Sequence, residues 1–233
     1  MEIAQQASEI LKRIENARTR RGGERPVTLV AVSKRQPTES IQSYIDFCAS
    51  HSYKATLGEN YLQEYEEKQL ELSGDFSVHM IGALQRNKAK KAVSLFDVIE
   101  GVHSVKLAHE LNKEASQVGK LQEVFFQVNI SNDPDKSGFA PSDLEHLFLH
   151  ELDSFESLKI TGLMTITELF SEPELARPDF QAMHQIRNKL EDRLGRELLV
   201  SMGMSADFEI AIAEGADIVR VGSALFGERY RNI

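Results

Sequence analysis

The chain has 233 residues, 41% of them hydrophobic, so it can bury a real core; one domain of barrel size is the first expectation and two small domains the alternative. With 27 Lys and Arg against 36 Asp and Glu, the formal charge of −9 argues against nucleic acid as a partner, because phosphate backbones need a basic surface. The only cysteine, Cys48, excludes an internal disulfide or a cysteine-based metal cluster and fits a reducing compartment, with the cytoplasm as the default.

Residues 1–21 read as a polar, amphipathic helix with no apolar core of signal-peptide type, and no later apolar run is long enough to span a bilayer. Apolar, β-branched stretches then recur at 27–33, 54–57, 77–81, 98–101, 124–129, 159–164, 198–201 and 218–222. Between them, residues 38–50, 61–72, 88–96, 105–117, 141–149, 178–194 and 206–214 return apolar side chains every three or four positions, which predicts helices. This repeated alternation predicts an α/β chain whose residues 1–233 form a single-domain (β/α)8 TIM-type barrel with an extra N-terminal helix. An open doubly wound sheet is the runner-up. In a barrel the chemistry gathers at the C-terminal ends of the strands, so polar and Gly-rich residues there are the candidates.

The first strand ends in Leu29-Val30-Ala31-Val32-Ser33-Lys34, and alternation puts Lys34 on the face of Val30 and Val32, pointing into the barrel mouth. A partly desolvated ammonium loses its proton more easily, as an amine must before it attacks a carbonyl or an aldehyde cofactor. The plainer alternative is a strand-end lysine that snorkels to water. The second candidate is Ser201-Met202-Gly203-Met204-Ser205-Ala206-Asp207, small and hydroxyl residues between a strand end and a helical pattern. Ser205 is a good N-cap there, and the turn's N–H groups favour a phosphate, unless Ser205 merely caps the helix. The third is Ile218-Val219-Arg220-Val221-Gly222-Ser223, where an arginine interrupts an apolar strand. If Val219 and Val221 face the helices, Arg220 faces inward and needs an acceptor, a carboxylate or a ligand atom. Gly222 and Ser223 add a second small-residue turn beside the first, where barrels commonly hold phosphate. Gly58-Glu59-Asn60 follows the second strand, His79 shares a face with Ile81, and Gln127 shares one with Asn129; each could line the mouth.

The 133–138 stretch looks like the start of a calcium loop, but Leu144 stands where the bidentate Glu belongs, and calcium is rejected. Arg86-Asn87-Lys88-Ala89-Lys90-Lys91 reads as a solvated helix face with no aromatic platform for bases.

Taken together, Val30-Ala31-Val32-Ser33-Lys34, Gly58-Glu59-Asn60-Tyr61 with Gln63-Glu64, His79 with Ile81-Gly82, Leu84-Gln85, His103-Ser104-Val105, Val128-Asn129-Ile130-Ser131, Gly162-Leu163-Met164, Ser201-Met202-Gly203-Met204-Ser205 and Val219-Arg220-Val221-Gly222 resemble the YggS/PROSC family of pyridoxal phosphate homeostasis proteins. The resemblance runs in order along nearly the whole chain. It implies a barrel like the N-terminal domain of alanine racemase, with pyridoxal 5'-phosphate held as a Schiff base on the matching Lys34. It further implies that Arg220 faces the pyridine nitrogen, that Ser205, Gly222 and Ser223 hold the phosphate, and that Asn60 and His79 lie near the ring, with Ser201 and Met204 among the cofactor-binding residues. Lys106 departs from the family, which commonly has Asp after His-Ser-Val.

A carrier is the expected role. A racemase needs a second base opposite the lysine, and this chain ends at Ile233, about six residues past Phe226-Gly227, with no room for the domain that supplies it in alanine racemases. An arginine at the pyridine nitrogen would also leave that nitrogen unprotonated and the ring a poorer electron sink. The expected function is therefore a monomeric protein of vitamin B6 homeostasis and amino-acid balance, with pyridoxal phosphate as its ligand and dependent apoenzymes as recipients. A weak racemase and a cofactor-free Schiff-base aldolase are the alternatives, and no membrane partner is expected.

Overall fold

The computed structural model describes residues 3–23, 25–133, 136–168 and 170–227. Its elements run in the order α1 (Ile3–Arg20), β1 (Thr28–Val32), α2 (Thr38–Ser50), β2 (Ala55–Glu59), α3 (Leu62–Lys68), β3 (Phe76–Met80), α4 (Ala89–Leu95), β4 (Val98–Val102), α5 (Val105–Gln117), β5 (Gln122–Val128), α6 (Pro141–His150), β6 (Leu158–Thr165), α7 (Arg177–Leu194), β7 (Leu199–Ser201), α8 (Phe208–Ala213), β8 (Ile218–Val221) and α9 (Ser223–Phe226). Every strand pairs in parallel with the next, and β8 returns to β1 through Thr28↔Ile218 to Ala31↔Val221, which closes the barrel. The open sheet considered as runner-up is thereby excluded.

Alternation along the strands divides the core in two. On β8, Val219 and Val221 join the large outer cluster under the helices, whereas Ile218 joins Val30, Ile81, Val98, Phe125 and Met164 inside the barrel. The interior is thus filled with side chains, as expected for a barrel of eight strands. One layer further toward the C-terminal strand ends the inward positions turn polar: His79, Glu100, Ser201 and Arg220 are all buried there. The helix before the barrel is amphipathic, with Ala7, Ile10, Ile14 and Ala17 buried at helical spacing against α2, α8 and α9. Among the described residues no helix is long and apolar enough to cross a membrane.

Several boundaries shift by one to four residues from the sequence expectation, and two of the shifts have a clear physical reason. Strand β2 runs on through Gly58 and Glu59, residues with little intrinsic strand preference, because both pair with β3 (Gly58↔His79, Glu59↔Met80). Gly58 faces the crowded interior, where a Cβ would lie 2.6 Å from Val30 Cγ1, so only glycine fits. Helix α8 starts at Phe208 instead of 206, because residues 204–207 close a turn of their own: Asp207 N–H donates to the Met204 carbonyl at 3.1 Å and Met204 N–H to Asp207 Oδ1 at 2.6 Å. The rejected calcium-loop stretch includes Pro134 and Asp135, which lie outside the described residues.

Candidate functional site

A cavity of about 290 Å³ opens at the C-terminal ends of the strands. Its walls carry Lys34 after β1, Asn60 after β2, Met204 and Ser205 after β7, and Gly222 and Ser223 after β8, with Arg220 of β8 reaching it from below. With Ile81 after β3 and Ile166 and Pro173 in the loop after β6, six separate stretches of sequence converge, because the barrel brings its strand ends onto one rim. Val32, inward on β1, also lines the cavity, and Lys34 follows it on the same side, as the alternation predicts.

Ser205 has a different role from the cap expected of it. The position before α8 is Asp207, and its side chain makes no cap hydrogen bond to that helix. The Ser205 hydroxyl instead accepts the N–H of Gly222 at 3.2 Å and that of Ala224 at 3.5 Å, which ties the turn after β7 to the turn after β8. The two turns therefore form one cradle. Gly203, at φ +91°, lets β7 turn into this cradle; a Cβ there would meet Ala211 Cβ at 2.5 Å.

Below the cavity lies a connected polar network. Arg220 donates to Ser201 Oγ and to the Thr165 carbonyl, both at 2.7 Å. Ser201 Oγ in turn donates to Glu100 Oε2 at 2.6 Å, and Glu100 Oε1 accepts from His79 Nδ1 at 2.6 Å. Burial alone would push the Glu100 carboxyl up, but the hydrogen bond and charge of His79, together with Arg220 and Ser201, hold it below the usual carboxylate range. Burial lowers the pKa of Arg220, against the opposing pull of Glu100 and Asp207. A guanidinium offers donors only, so Arg220 presents N–H groups and no acceptor at the floor of the cavity.

The predicted residues thus fall into two groups. Lys34, Asn60, Met204, Ser205, Arg220, Gly222 and Ser223 meet at the cavity, while His79 and Ser201 sit in the layer beneath, joined by hydrogen bonds through Glu100 to Arg220. Gln127 and Asn129 serve the loop after β5 instead: Gln127 Nε2 donates to the Ser137 carbonyl at 2.7 Å and Asn129 Nδ2 to that of Asp133 at 2.7 Å. Sequence reasoning missed Glu100, although a carboxylate inside the apolar run Val98-Ile99-Glu100-Gly101 is the same signal that revealed Arg220. It also missed Glu168, Phe170 and Pro173, which the loop after β6 brings to the cavity wall and which no periodicity marks.

Asn60 is held in place by backbone contact. A Cβ on Gly82 would lie 2.4 Å from the Asn60 carbonyl oxygen and 2.8 Å from its Cα, so the loop after β3 supports the Asn60 backbone directly. Asn60 Oδ1 is buried with no hydrogen-bond partner among the described residues, an unsatisfied polar atom on the wall of a cavity.

The sequence model for the N-terminal domain of alanine racemase matches residues 8–230. The chain belongs to that family. Among its relatives, the pyridoxal phosphate homeostasis protein of Aquifex aeolicus is 38% identical over 232 residues, covering 98% of this chain and 99% of its own. The solved structure of PipY from Synechococcus elongatus with pyridoxal phosphate bound matches with a TM-score of 0.82 at 33% identity, over 97% of this chain and 100% of PipY. An alanine racemase of Clostridium difficile shares the family fold, with a TM-score of 0.72 at 15% identity, and this chain spans 58% of its length.

Proposed function

We propose that this chain is a pyridoxal 5'-phosphate-binding protein of vitamin B6 homeostasis, one barrel domain that holds the cofactor through Lys34. The observation that carries the reading is the meeting, in one cavity, of a lysine at the tip of β1, an arginine on β8 and the double turn joined by Ser205 and Gly222. When bound, the cofactor supplies an aldehyde carbon that amines attack and a ring able to withdraw electrons. The chain's own residues do the rest. Lys34 provides the amine that condenses with the aldehyde, with loss of water. The turns built by Ser205, Gly222 and Ser223 hold the phosphate: Ser205 Oγ accepts the Gly222 and Ala224 N–H groups and so keeps its own hydroxyl proton to donate. Asn60 offers its buried, unpartnered Oδ1 as an acceptor and its Nδ2 as a donor to the polar groups of the ring, and Met204 covers an apolar edge.

The carrier role, as opposed to catalysis, is supported by Arg220. Its guanidinium is locked to Ser201 and Thr165 and backed by Glu100, so it meets the ring nitrogen as a fixed cation and leaves the ring a weak electron sink. The reading extends to dependent apoenzymes as recipients and to a cytoplasmic monomer, in keeping with a lone, buried Cys48. The deciding experiment is an absorption spectrum of the purified chain after addition of pyridoxal phosphate, followed by hydride reduction and mass analysis. A band lost in Lys34→Ala and a pyridoxyl mass on Lys34 are expected, with no turnover across an amino-acid panel. A colourless, unmodified chain overturns the reading; reproducible conversion of one amino acid replaces carrier with racemase.

A further inference from the structure

Lys34 is gripped from both sides by the helix that follows the neighbouring strand. The peptide group just before it ends in the Ser33 carbonyl, which accepts from Lys68 Nζ at 2.8 Å. The peptide group just after it presents the Arg35 N–H, which donates to the Glu64 carboxylate. Lys68 and Glu64 lie four residues apart on α3 and pair with each other, so one helical turn holds both flanking peptides. Ser33 adds a third tie: its hydroxyl donates to Glu59 Oε1 at 2.7 Å, and Lys68 Nζ lies 3.5 Å from the same oxygen.

Two features make this more than a surface ion pair. The Glu59 carboxyl is 1% exposed and its Oε2 is buried without a hydrogen-bond partner, while the Lys68 side chain is only 11% exposed. Charges buried in this way do not repay their desolvation unless geometry demands them. The segment they hold is also strained, since Arg35 sits at φ +56°, in the left-handed region that a residue with a side chain avoids. Burial pushes the Glu59 carboxyl up to about 7, against the pull of Lys68 and Ser33, as expected of a carboxyl retained for position at a cost.

We propose that Glu59, Glu64 and Lys68 are positioning residues for Lys34, fixing the peptides on either side of it and thereby setting how readily its amine forms and keeps the bond to pyridoxal phosphate. This rests on the cofactor reading of the cavity. None of the three lines the cavity, so they act on the amine through the backbone.

The experiment compares two probes on the full chain. Pyridoxal phosphate reports adduct formation by absorbance and by pyridoxyl mass on Lys34 after hydride reduction; pyridoxamine 5'-phosphate, which has an amine in place of the aldehyde, reports the pocket without that bond. In Lys68→Met the affinity for pyridoxal phosphate should fall roughly tenfold to a hundredfold, because a displaced reacting group costs that much. Pyridoxamine phosphate affinity should stay within about threefold, as for a change away from the binding surface. Lys68→Arg, which keeps a cation facing the Ser33 carbonyl, should recover most of the loss. Adduct formation equal to wild type in Lys68→Met overturns the proposal, and so does equal weakening of both probes. Should Lys68→Met fail to fold, the isosteric Glu64→Gln is read by the same comparison. A wild-type chain that binds neither probe and stays unmodified at Lys34 overturns the cofactor reading itself, and is thereby distinguished from failure of the grip alone.

Discussion

The hydroxyl of Ser205 accepts the backbone N–H of Gly222 at 3.2 Å, so two turns that follow different strands are joined by one side chain. On the proposed reading, a phosphate held between them would depend on that bond for the width of its cradle. Ser205→Ala removes an acceptor worth about 1 kcal/mol and should weaken pyridoxal phosphate binding roughly fivefold. Binding of pyridoxal, which has no phosphate, should be unchanged. Titration of both vitamers against the variant checks this; equal loss for both would refute a phosphate role.

Glu100 is the hub of the buried network, accepting from His79 and Ser201, and Arg220 reaches it through Ser201. Glu100→Ala strands a buried guanidinium, so urea denaturation should show a loss of about 3–5 kcal/mol. Replacing both charges, Glu100→Leu with Arg220→Met, should recover part of that stability while leaving the cofactor spectrum altered. A single variant as stable as wild type would show that Glu100 does not sustain Arg220.

The Glu59 carboxyl has its value raised by burial from 4.5 to about 7, against the lowering pull of Lys68 and Ser33. A carboxyl whose folded value exceeds its unfolded one binds its proton more tightly in the native state. Its contribution to stability is therefore complete below about pH 4.5 and is lost as pH rises through about 7. The shift corresponds to a ceiling of about 3 kcal/mol. Glu59→Gln, which cannot titrate, should give a shallower decline in stability across that window when melting curves are measured at several pH values. Parallel pH profiles for the two chains would exclude Glu59 as the titrating group.

Gly82 touches the Asn60 backbone so closely that any side chain must displace it. Gly82→Ala should cost about 1–3 kcal/mol through overpacking and weaken cofactor binding in step, because Asn60 moves with its loop. A variant that melts like wild type and binds normally would mean that the loop after β3 yields without disturbing Asn60.

Much of the site was legible because strand alternation is a local rule. Once Val219 and Val221 are read as facing the helices, Arg220 must face inward, and it does. The same rule sends Lys34 to the side of Val30 and Val32. The rule also points Glu100 inward, one position from Ile99 in an apolar run. Other features lay beyond any local signal. Ser205 looked like the cap of its own helix because hydroxyl-before-helix is the usual pattern, yet its partner lies on the following turn, seventeen residues away.

By itself, then, the order of residues determined the alternation of strands and helices, the inward faces of the strands and the small-residue turns, because each depends on the preferences of neighbours within a few positions. Closure of β8 onto β1, the union of the two turns through Ser205, and the grip of α3 on the peptides around Lys34 were decided only by tertiary structure. Such contacts join residues far apart in sequence, and their energies exist only once the barrel has brought its strand ends to a common rim.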